Sequence, residues 1–229
     1  MRKINAVILI LTIALSIQAC KSAKVINAWK AQESIVDLFK TKNVLVIART
    51  ANKQGRIAFE VEIANALRAK GIKATESYTK APEIHTNVEM SEERIAFIKS
   101  LMDSEGYNGV VLTAIKDKKQ TVTTSNNGIY MGAGYGNYYP GYYGGFYNYY
   151  RAPYAYGGYY NSFGGYIPTS TSTSVSTDYV LETVAYNLDE PTEKQLVAVV
   201  TTNLEDPNDA QKAAEKLVPK IMQSLNKKE

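Results

Sequence analysis

The sequence NVLVIA at residues 43–48 places five apolar side chains in succession after a polar asparagine. Uninterrupted apolar runs of this length are typical of strands that are buried on both faces of a sheet. Residues 56–70 follow with apolar side chains at helical spacing, and Gly71 ends that segment as a glycine commonly ends a helix. Together the two segments predict a buried strand followed by a helix that packs on the sheet.

The next segments repeat this alternation of strand and helix. Residues 72–77 are typical of a second strand, and residues 110–115, with the sequence VVLTAI, are typical of a third. Between them, residues 91–102 predict a helix with Ser91 as its N-cap and with Glu92 and Glu93 in its first turn. A β-α-β-α-β order with short connections predicts a small parallel core with right-handed crossovers.

The character of the chain then changes to antiparallel strands. Residues 119–125, 175–188 and 195–203 alternate and are rich in β-branched side chains. A final helix follows residue 208, and Pro219 inside it predicts a kink or a break. The predicted fold is α/β, a small three-layer mixed sheet with a parallel β-α-β-α-β core, added antiparallel strands and a C-terminal helix. Residues 43–127 and 167–229 would form this one domain, with these side chains buried: Leu45, Ile47, Phe59, Leu67, Val111 and Leu112.

The N-terminal residues have the pattern of an export signal. Arg2 and Lys3 precede an almost wholly apolar run at residues 4–17, which is shorter than the ~20 residues of a membrane-spanning helix. The run ends in the sequence IQAC at residues 17–20, with a small residue before the cysteine. A positive start, a short apolar run and a small residue at the cut are typical of a secretory signal peptide. Cys20 is the only cysteine, so the chain has no intramolecular disulfide.

The IQAC sequence matches the lipobox of bacterial lipoproteins. It predicts a signal peptide at residues 1–19 and attachment of diacylglycerol to Cys20; the alternatives are an ordinary signal peptide and an uncleaved anchor helix. Residues 20–42 are expected to be a polar tether with a short helix at residues 31–39. No other stretch is predicted to cross a membrane as a helix. Lys21, in place of the aspartate that marks inner-membrane retention, favours a location at the outer membrane, facing the periplasm.

Residues 128–166 form a segment of low complexity, which we call the Tyr–Gly segment. Of these 39 residues 14 are tyrosine and 11 are glycine, and Arg151 is the only charged one. One interpretation is a flexible insertion at a loop tip, since long loops add little closure entropy. The other is an adhesive surface for glycan or protein, because tyrosine and glycine dominate adaptable binding loops. We expect the segment to project from the domain and to add little stability; its candidate contact residues are Tyr142, Tyr143, Tyr149 and Tyr150.

The sequence contains no recognisable catalytic or cofactor-binding motif. His85 is the only histidine and lies in a predicted loop, whereas metal sites need several convergent ligands. The glycine-rich residues 132–136 do not connect a buried strand to a helix, as a phosphate-binding loop does. No nucleophile elbow is present, although the residues alone leave Ser–His–Asp chemistry open. Without Arg2 and Lys3, 24 basic side chains stand against 22 acidic ones, with no basic cluster that predicts nucleic-acid binding. We therefore predict no cofactor and no enzymatic activity.

The loop at residues 49–56 is the strongest candidate for a ligand site in the α/β part. It leaves the carboxyl end of the first predicted strand, where open α/β sheets usually bind ligands. Arg49, Lys53 and Arg56 supply polar donors there, and an anionic group would suit the start of the following helix. The alternative is a solvated connection without a ligand.

Several of these segments carry a resemblance to known proteins: VLVI at residues 44–47, the helix at 56–70, YNGVVL at 107–112 and the lipobox. They resemble small uncharacterised lipoproteins of Bacteroidetes-like bacteria. The order of elements is similar to that of the α/β domains of the curli-secretion lipoprotein, the penicillin-binding-protein activator lipoproteins and the amino-terminal domain of the Tol propeller protein. The resemblance implies a non-catalytic envelope module that binds another protein or cell-wall glycan. The other class that we consider is a structural or adhesive surface protein that works through its Tyr–Gly segment.

Overall fold

The computed structural model describes residues 23–81, 90–124, 145–151 and 173–226. In these ranges the chain forms one six-stranded sheet with α-helices on both of its faces. The elements, in chain order, are β1 (Ala23–Lys30), α1 (Glu33–Phe39), β2 (Asn43–Arg49), α2 (Lys53–Arg68), β3 (Lys73–Glu76), α3 (Glu92–Glu105), β4 (Gly109–Thr124), α4 (Phe146–Arg151), β5 (Thr173–Asn187), β6 (Leu196–Glu205) and α5 (Ala210–Ser224).

The sheet is mixed, as the sequence predicts. Its strand order is β1-β6-β5-β4-β2-β3; β2 runs parallel to β3 and β4, and the remaining neighbours are antiparallel. Leu45 lies beside Val110 and Ile47 beside Leu112, so the two apolar runs are adjacent central strands. The α/β class with a parallel β-α-β-α-β core, antiparallel strands and a C-terminal helix is confirmed.

The sheet separates two apolar cores. One face packs against α2 and α5, and the other packs against α3 and α4. The six side chains predicted to be buried are all between 0% and 8% exposed. Side chains alternate between the two faces of a strand, so Leu45 and Ile47 belong to one core, whereas Val44 and Val46 belong to the other.

Two helices differ from the sequence-based prediction at a specific point. α2 begins at Lys53 rather than Arg56, because the side chain of Asn52 accepts the backbone N–H of Gly55 at 2.9 Å and caps the helix. α5 runs through Pro219 without the predicted break. Pro219 is on the exposed face of α5, where the backbone carbonyl that it leaves without a helical partner can bond to water.

Two other predicted boundaries are wrong. Residues 109–124 form one strand, not two, because a bulge between Ile115 and Asp117 lets β4 continue along β5. The sequence predicts a tether at residues 20–42, but residues 23–30 form β1, an edge strand paired with β6, and α1 occupies most of the predicted helix. Pairing with β6 satisfies the backbone groups on one side of β1, and Ala23 is buried.

Part of the Tyr–Gly segment belongs to the core. α4 buries Phe146, Tyr149 and Tyr150, which are at most 4% exposed, against β5 and β6 residues. These three positions follow the i, i+3, i+4 spacing of one helix face, so large aromatic rings supply the apolar surface that aliphatic residues supply elsewhere. The expectation that residues 128–166 project from the domain is therefore wrong for α4. The rest of the segment lies outside the described residues.

Candidate functional site

Several elements meet at one edge of the sheet, which we call the carboxyl edge. The strands β2, β4 and β6 run in the same direction and approach this edge with their carboxyl ends. β1 runs in the opposite direction, so Ala23 starts here, beside Leu204 of β6. The helices α2 and α5 also begin at this edge, and each has a side-chain cap, from Asn52 and Asp209 respectively.

An open groove of ≈1200 Å³ lies at the carboxyl edge between the first turns of α2 and α5. We call it the α2–α5 groove. Ile57 lines it from α2, and Ala210 lines it from α5. Its apolar lining from the sheet comes from Ile115, Tyr179, Leu181 and Leu204. The groove is at the position that the loop after β2 predicts, but its lining is mainly apolar rather than cationic.

A buried ion pair fixes the start of α2 at this edge. Arg56 Nε donates to Glu60 Oε1 at 3.0 Å, and both side chains are buried. The hydroxyl of Ser77 and the backbone N–H of Ala48 also donate to Glu60 Oε1, at 2.8 and 3.0 Å. The other oxygen, Oε2, accepts the backbone N–H of Tyr78 at 2.7 Å. Glu60 thus joins the ends of β2 and β3 to α2, and this network is structural.

A cluster of buried charged groups, which we call the charged cluster, occupies the opposite face of the sheet, under α4. Lys116 Nζ lies 3.5 Å from Glu182 Oε1 and 4.9 Å from the centre of the Tyr149 ring. The Tyr149 hydroxyl donates to the same oxygen of Glu182. Arg49 Nη1 donates to the backbone carbonyl of Tyr150 at 2.6 Å. The cluster therefore ties α4 to β2, β4 and β5 through buried charged groups.

Burial changes the protonation behaviour of this cluster. Desolvation lowers the pKa of Lys116 from its ordinary value to about 8, although the carboxylate of Glu182 opposes the shift; the charge of Arg49 adds to it. Desolvation also raises the pKa of the Tyr150 phenol, although nearby arginines oppose that shift. Because a pKa of about 8 is still above neutral pH, Lys116 remains protonated there. Burial of this charge costs folding free energy.

The structure separates the residues that the sequence singles out in the loop after β2. Arg49 and Arg56 are 1% and 5% exposed and bond inward, so neither presents its guanidinium as a surface donor. Lys53 is exposed on the first turn of α2. Tyr149 and Tyr150 are buried against the sheet. The remaining candidates, Cys20, His85, Tyr142 and Tyr143, lie outside the described residues.

Sequence reasoning missed the acidic partners. Glu60 follows Arg56 by four residues on one helix, which is a spacing that signals an ion pair. The pairing of Lys116 with Glu182 has no such signal, because it depends on the register between β4 and β5. Within the described ranges, no three histidine, cysteine or acidic side chains lie together as a metal site would require. None of the helices in the described part of the chain has the length and apolar character needed to span a membrane.

Comparisons with known proteins give no family assignment. No family model matches the chain, and no curated protein sequence matches it. One similar solved structure is the PelC dodecamer from Paraburkholderia phytofirmans, with 11% identity, a TM-score of 0.42 and coverage of 91% of this chain and 100% of that chain. Another is a variant of PelC from the same organism, with 11% identity, a TM-score of 0.39 and coverage of 88% and 94%.

Proposed function

We propose that this chain is a lipid-anchored cell-envelope protein that acts as a non-catalytic binding module through the α2–α5 groove. The observation that carries the proposal is the position of Ala23. This residue begins β1 at the carboxyl edge, beside Leu204, and Leu204 lines the groove. Cys20, the cysteine of the lipobox, precedes Ala23 by only three residues. A lipid on Cys20 would therefore be attached close to the groove.

The length of the connection sets how close the anchor would be. Three residues span at most about 11 Å when fully extended, since each residue advances the chain by at most ~3.6 Å. Two or three acyl chains on Cys20 would hold the domain durably, because each buried methylene adds ~0.8 kcal/mol. The partner of the groove should consequently be a component of the envelope that is present at the membrane surface.

The lining of the groove favours a protein segment over cell-wall glycan. Ile57, Ile115 and Tyr179 are only half-buried there, so they offer apolar surface that a partner can cover. Of the charged residues in the lining, Arg49 and Lys116 bond within the buried cluster under α4, whereas Lys118 and Asp209 are exposed and can pair with charges of a partner. This use of charge supports binding as the role of the groove.

Mass spectrometry of the mature N-terminus tests the anchor. We expect a cut before Cys20 and a mass increase that corresponds to diacylglycerol, with or without a third acyl chain. Cys20→Ala should give an unprocessed precursor or a protein that lacks lipid. An unmodified Cys20 in the wild-type chain, or cleavage at another residue, contradicts the proposed anchor.

Site-specific photocrosslinking in intact envelopes tests the groove. A photoreactive residue in place of Ile57 should form adducts that proteases remove and cell-wall hydrolases leave intact. The matched control is Asn65, which is exposed farther along the same helix, away from the groove lining. Adducts of equal yield at both positions, or none at Ile57, would contradict binding in the groove; adducts removed only by cell-wall hydrolases would identify glycan as the partner instead.

A further inference from the structure

The two longest strands extend past the rest of the sheet. Asp178 of β5 pairs with Glu205, the last residue of β6, and Thr177 exchanges hydrogen bonds with Asp206, the residue that follows β6. Beyond Thr177, residues 121–124 and 173–176 continue as a ladder of two strands within the described part of the chain, and we call this ladder the β4–β5 arm. In this arm Val122 lies directly opposite Val175, and the two side chains are 39% and 57% exposed. They form a small apolar surface that the rest of the described domain leaves open.

The arm extends beyond the end of the sheet at which β1 begins. Ala23, Leu204, Tyr179 and Lys118 are cross-strand neighbours in one row of the sheet. Val175 lies four residues beyond Tyr179, which corresponds to about 13 Å at ~3.3 Å per residue. Cys20 can lie at most about 11 Å from Ala23. Measured along the strands from this row, the Val122–Val175 pair is therefore about as far away as the lipidated cysteine can reach.

The lateral separation of the arm and the anchor is also small. β1 and β5 are separated in the sheet only by β6, so their spacing is about 10 Å. Val175 has the same parity along β5 as Tyr179 and Leu181, and alternate residues share one face of a strand. The valine pair thus continues the face of the sheet that lines the α2–α5 groove.

Charge changes abruptly at the base of the arm. A charged band lies at its base, and Lys119 is directly opposite Asp178 across the two strands. The members of the band are Asp117, Lys118, Lys119, Asp178, Glu205 and Asp206. From residue 120 to residue 177 the sequence contains 58 residues and one charge, that of Arg151. Charged side chains are costly inside a bilayer, so the charged band has to stay outside the hydrocarbon core. An uncharged arm above a charged band is the order that a membrane surface favours.

From these observations we infer that the β4–β5 arm lies against the bilayer, with Val122 and Val175 at the boundary between headgroups and acyl chains. The inference rests on the proposed lipid at Cys20. The arm stays at the interface, because the outer backbone groups of a two-stranded ladder need water and cannot enter the hydrocarbon core. The lipid anchor and the arm would then fix the orientation of the domain, with its carboxyl edge towards the membrane.

A single introduced cysteine tests this contact in the full-length, lipidated protein. When the Cys20 thiol is bound to lipid, the cysteine of Val175→Cys is the only free thiol and takes an environment-sensitive fluorophore selectively. The matched control is Glu193→Cys, exposed in the turn Thr192–Lys194 at the other end of the sheet. Both proteins are reconstituted into phosphatidylethanolamine–phosphatidylglycerol vesicles with or without a lipid that carries a quencher near the headgroup.

We expect the quencher to reduce the fluorescence at position 175 at least twofold and to leave position 193 almost unchanged. Val122→Cys should behave like Val175→Cys, because the two residues face the same side of the arm. Equal quenching at positions 175 and 193 in a protein whose lipid is verified by mass overturns the inference and leaves the anchor intact. Absence of lipid on Cys20 overturns both. A shielded fluorophore that is not quenched shows that a second copy or another protein covers the arm, and this also overturns the inference.

Discussion

The two faces of the sheet reach similar burial with different kinds of side chain. On the α2–α5 face the helices contribute small and aliphatic residues such as Ala64, Leu67 and Leu217. On the α3–α4 face, Met102 from α3 is joined by aromatic rings from α4. The first core has the apolar periodicity by which helices are recognised in a sequence, whereas part of the second comes from a Tyr–Gly segment whose composition argues against a core. Low complexity of a segment therefore does not exclude a short helix within it from being part of the core.

The aromatic face is fixed by specific contacts rather than by area alone. The ring centre of Phe146 lies 5.5 Å from that of Tyr150 and 5.9 Å from that of Tyr186. The backbone N–H of Phe146 donates to the side chain of Gln195 at 3.0 Å. Gly145, just before α4, approaches Thr192 so closely that an added Cβ would lie 2.3 Å from its methyl carbon. Contacts at the N-terminal end of α4, together with the Arg49 bond to Tyr150 near its C-terminal end, hold the helix in one position.

The largest expected effect tests whether the two faces contribute equally. Phe146→Ala should lower the free energy of unfolding by ~3–5 kcal/mol, and Leu67→Ala on the other face by ~2–5 kcal/mol, because each leaves a cavity in a packed core. Both values would come from denaturant unfolding curves of the same protein. A loss of less than about 1 kcal/mol for Phe146→Ala alone would contradict the placement of α4 in the core.

A second effect concerns pH and distinguishes the charged cluster under α4 from its surroundings. With a folded pKa of about 8 and an ordinary value of 10.5, Lys116 is protonated in both states at lower pH and deprotonated first in the folded state. Between these two values the unfolded chain binds more protons, so the free energy of unfolding should rise with pH. The gain should be on the order of 3 kcal/mol.

The reference for this measurement is the double variant Lys116→Met/Glu182→Gln, in which the buried pair is neutral and the acceptor for the Tyr149 hydroxyl is kept. Other lysines and tyrosines titrate in both proteins, so the difference between them isolates the pair. The difference in unfolding free energy should change in favour of the wild type between pH 8 and pH 10.5. A difference that is constant across this range would show that Lys116 titrates normally.

A smaller effect is expected for the hydroxyl that joins α4 to the charged cluster. Tyr149→Phe keeps the ring and removes only the donor to Glu182, so it should cost ~1.5–3 kcal/mol, the range for hydrogen bonds to charged groups. Tyr147→Phe is the matched control, since Tyr147 is half-buried on the same helix. Thermal unfolding that is unchanged by Tyr149→Phe would show that the hydroxyl bond contributes nothing to stability.

The sequence predicts those parts of the fold that depend on local pattern. The apolar runs of β2 and β4, the cap at Ser91 and the periodicity of α2 all have a local physical cause, and the structure has them in the predicted places. β1 has no such signal, because Lys24, Asn27 and Lys30 interrupt its apolar residues and leave neither a continuous apolar run nor a regular alternation. Only the pairing with β6 makes this segment a strand.

The candidate site is less predictable, because its charges depend on distant partners. Glu60 has the sequence context of a solvated helix residue, and it is buried because Ser77 and the backbone of Tyr78 pack over it. Arg49 has the position of a surface donor, but α4 from the Tyr–Gly segment supplies its acceptor, the carbonyl of Tyr150. The position of the groove follows from topology, whereas its apolar lining needs the relative placement of α2, α5 and the sheet.

The smallest effect tests how far the aromatic face depends on contacts at its periphery. Lys99 of α3 places its ammonium 4.8 Å from the ring centre of Tyr147, which is typical of a cation–π contact. Lys99→Met keeps most of the apolar stem and removes the charge, so it should cost only ~0.5–1 kcal/mol, the range for exposed cation–π contacts. The loss should shrink in high salt, because salt screens an exposed charge.

The matched control for this contact is the neighbouring position on the exposed surface of α3. Ser100 is also exposed, and Ser100→Ala should leave the denaturant unfolding curve almost unchanged, because it removes an exposed hydroxyl and no charge. The comparison of the two variants therefore separates the contact with Tyr147 from a general effect of substitutions on α3. A loss above about 2 kcal/mol for Lys99→Met would exceed the range of an exposed cation–π contact. It would show that Lys99 stabilises the aromatic face by more than its contact with Tyr147.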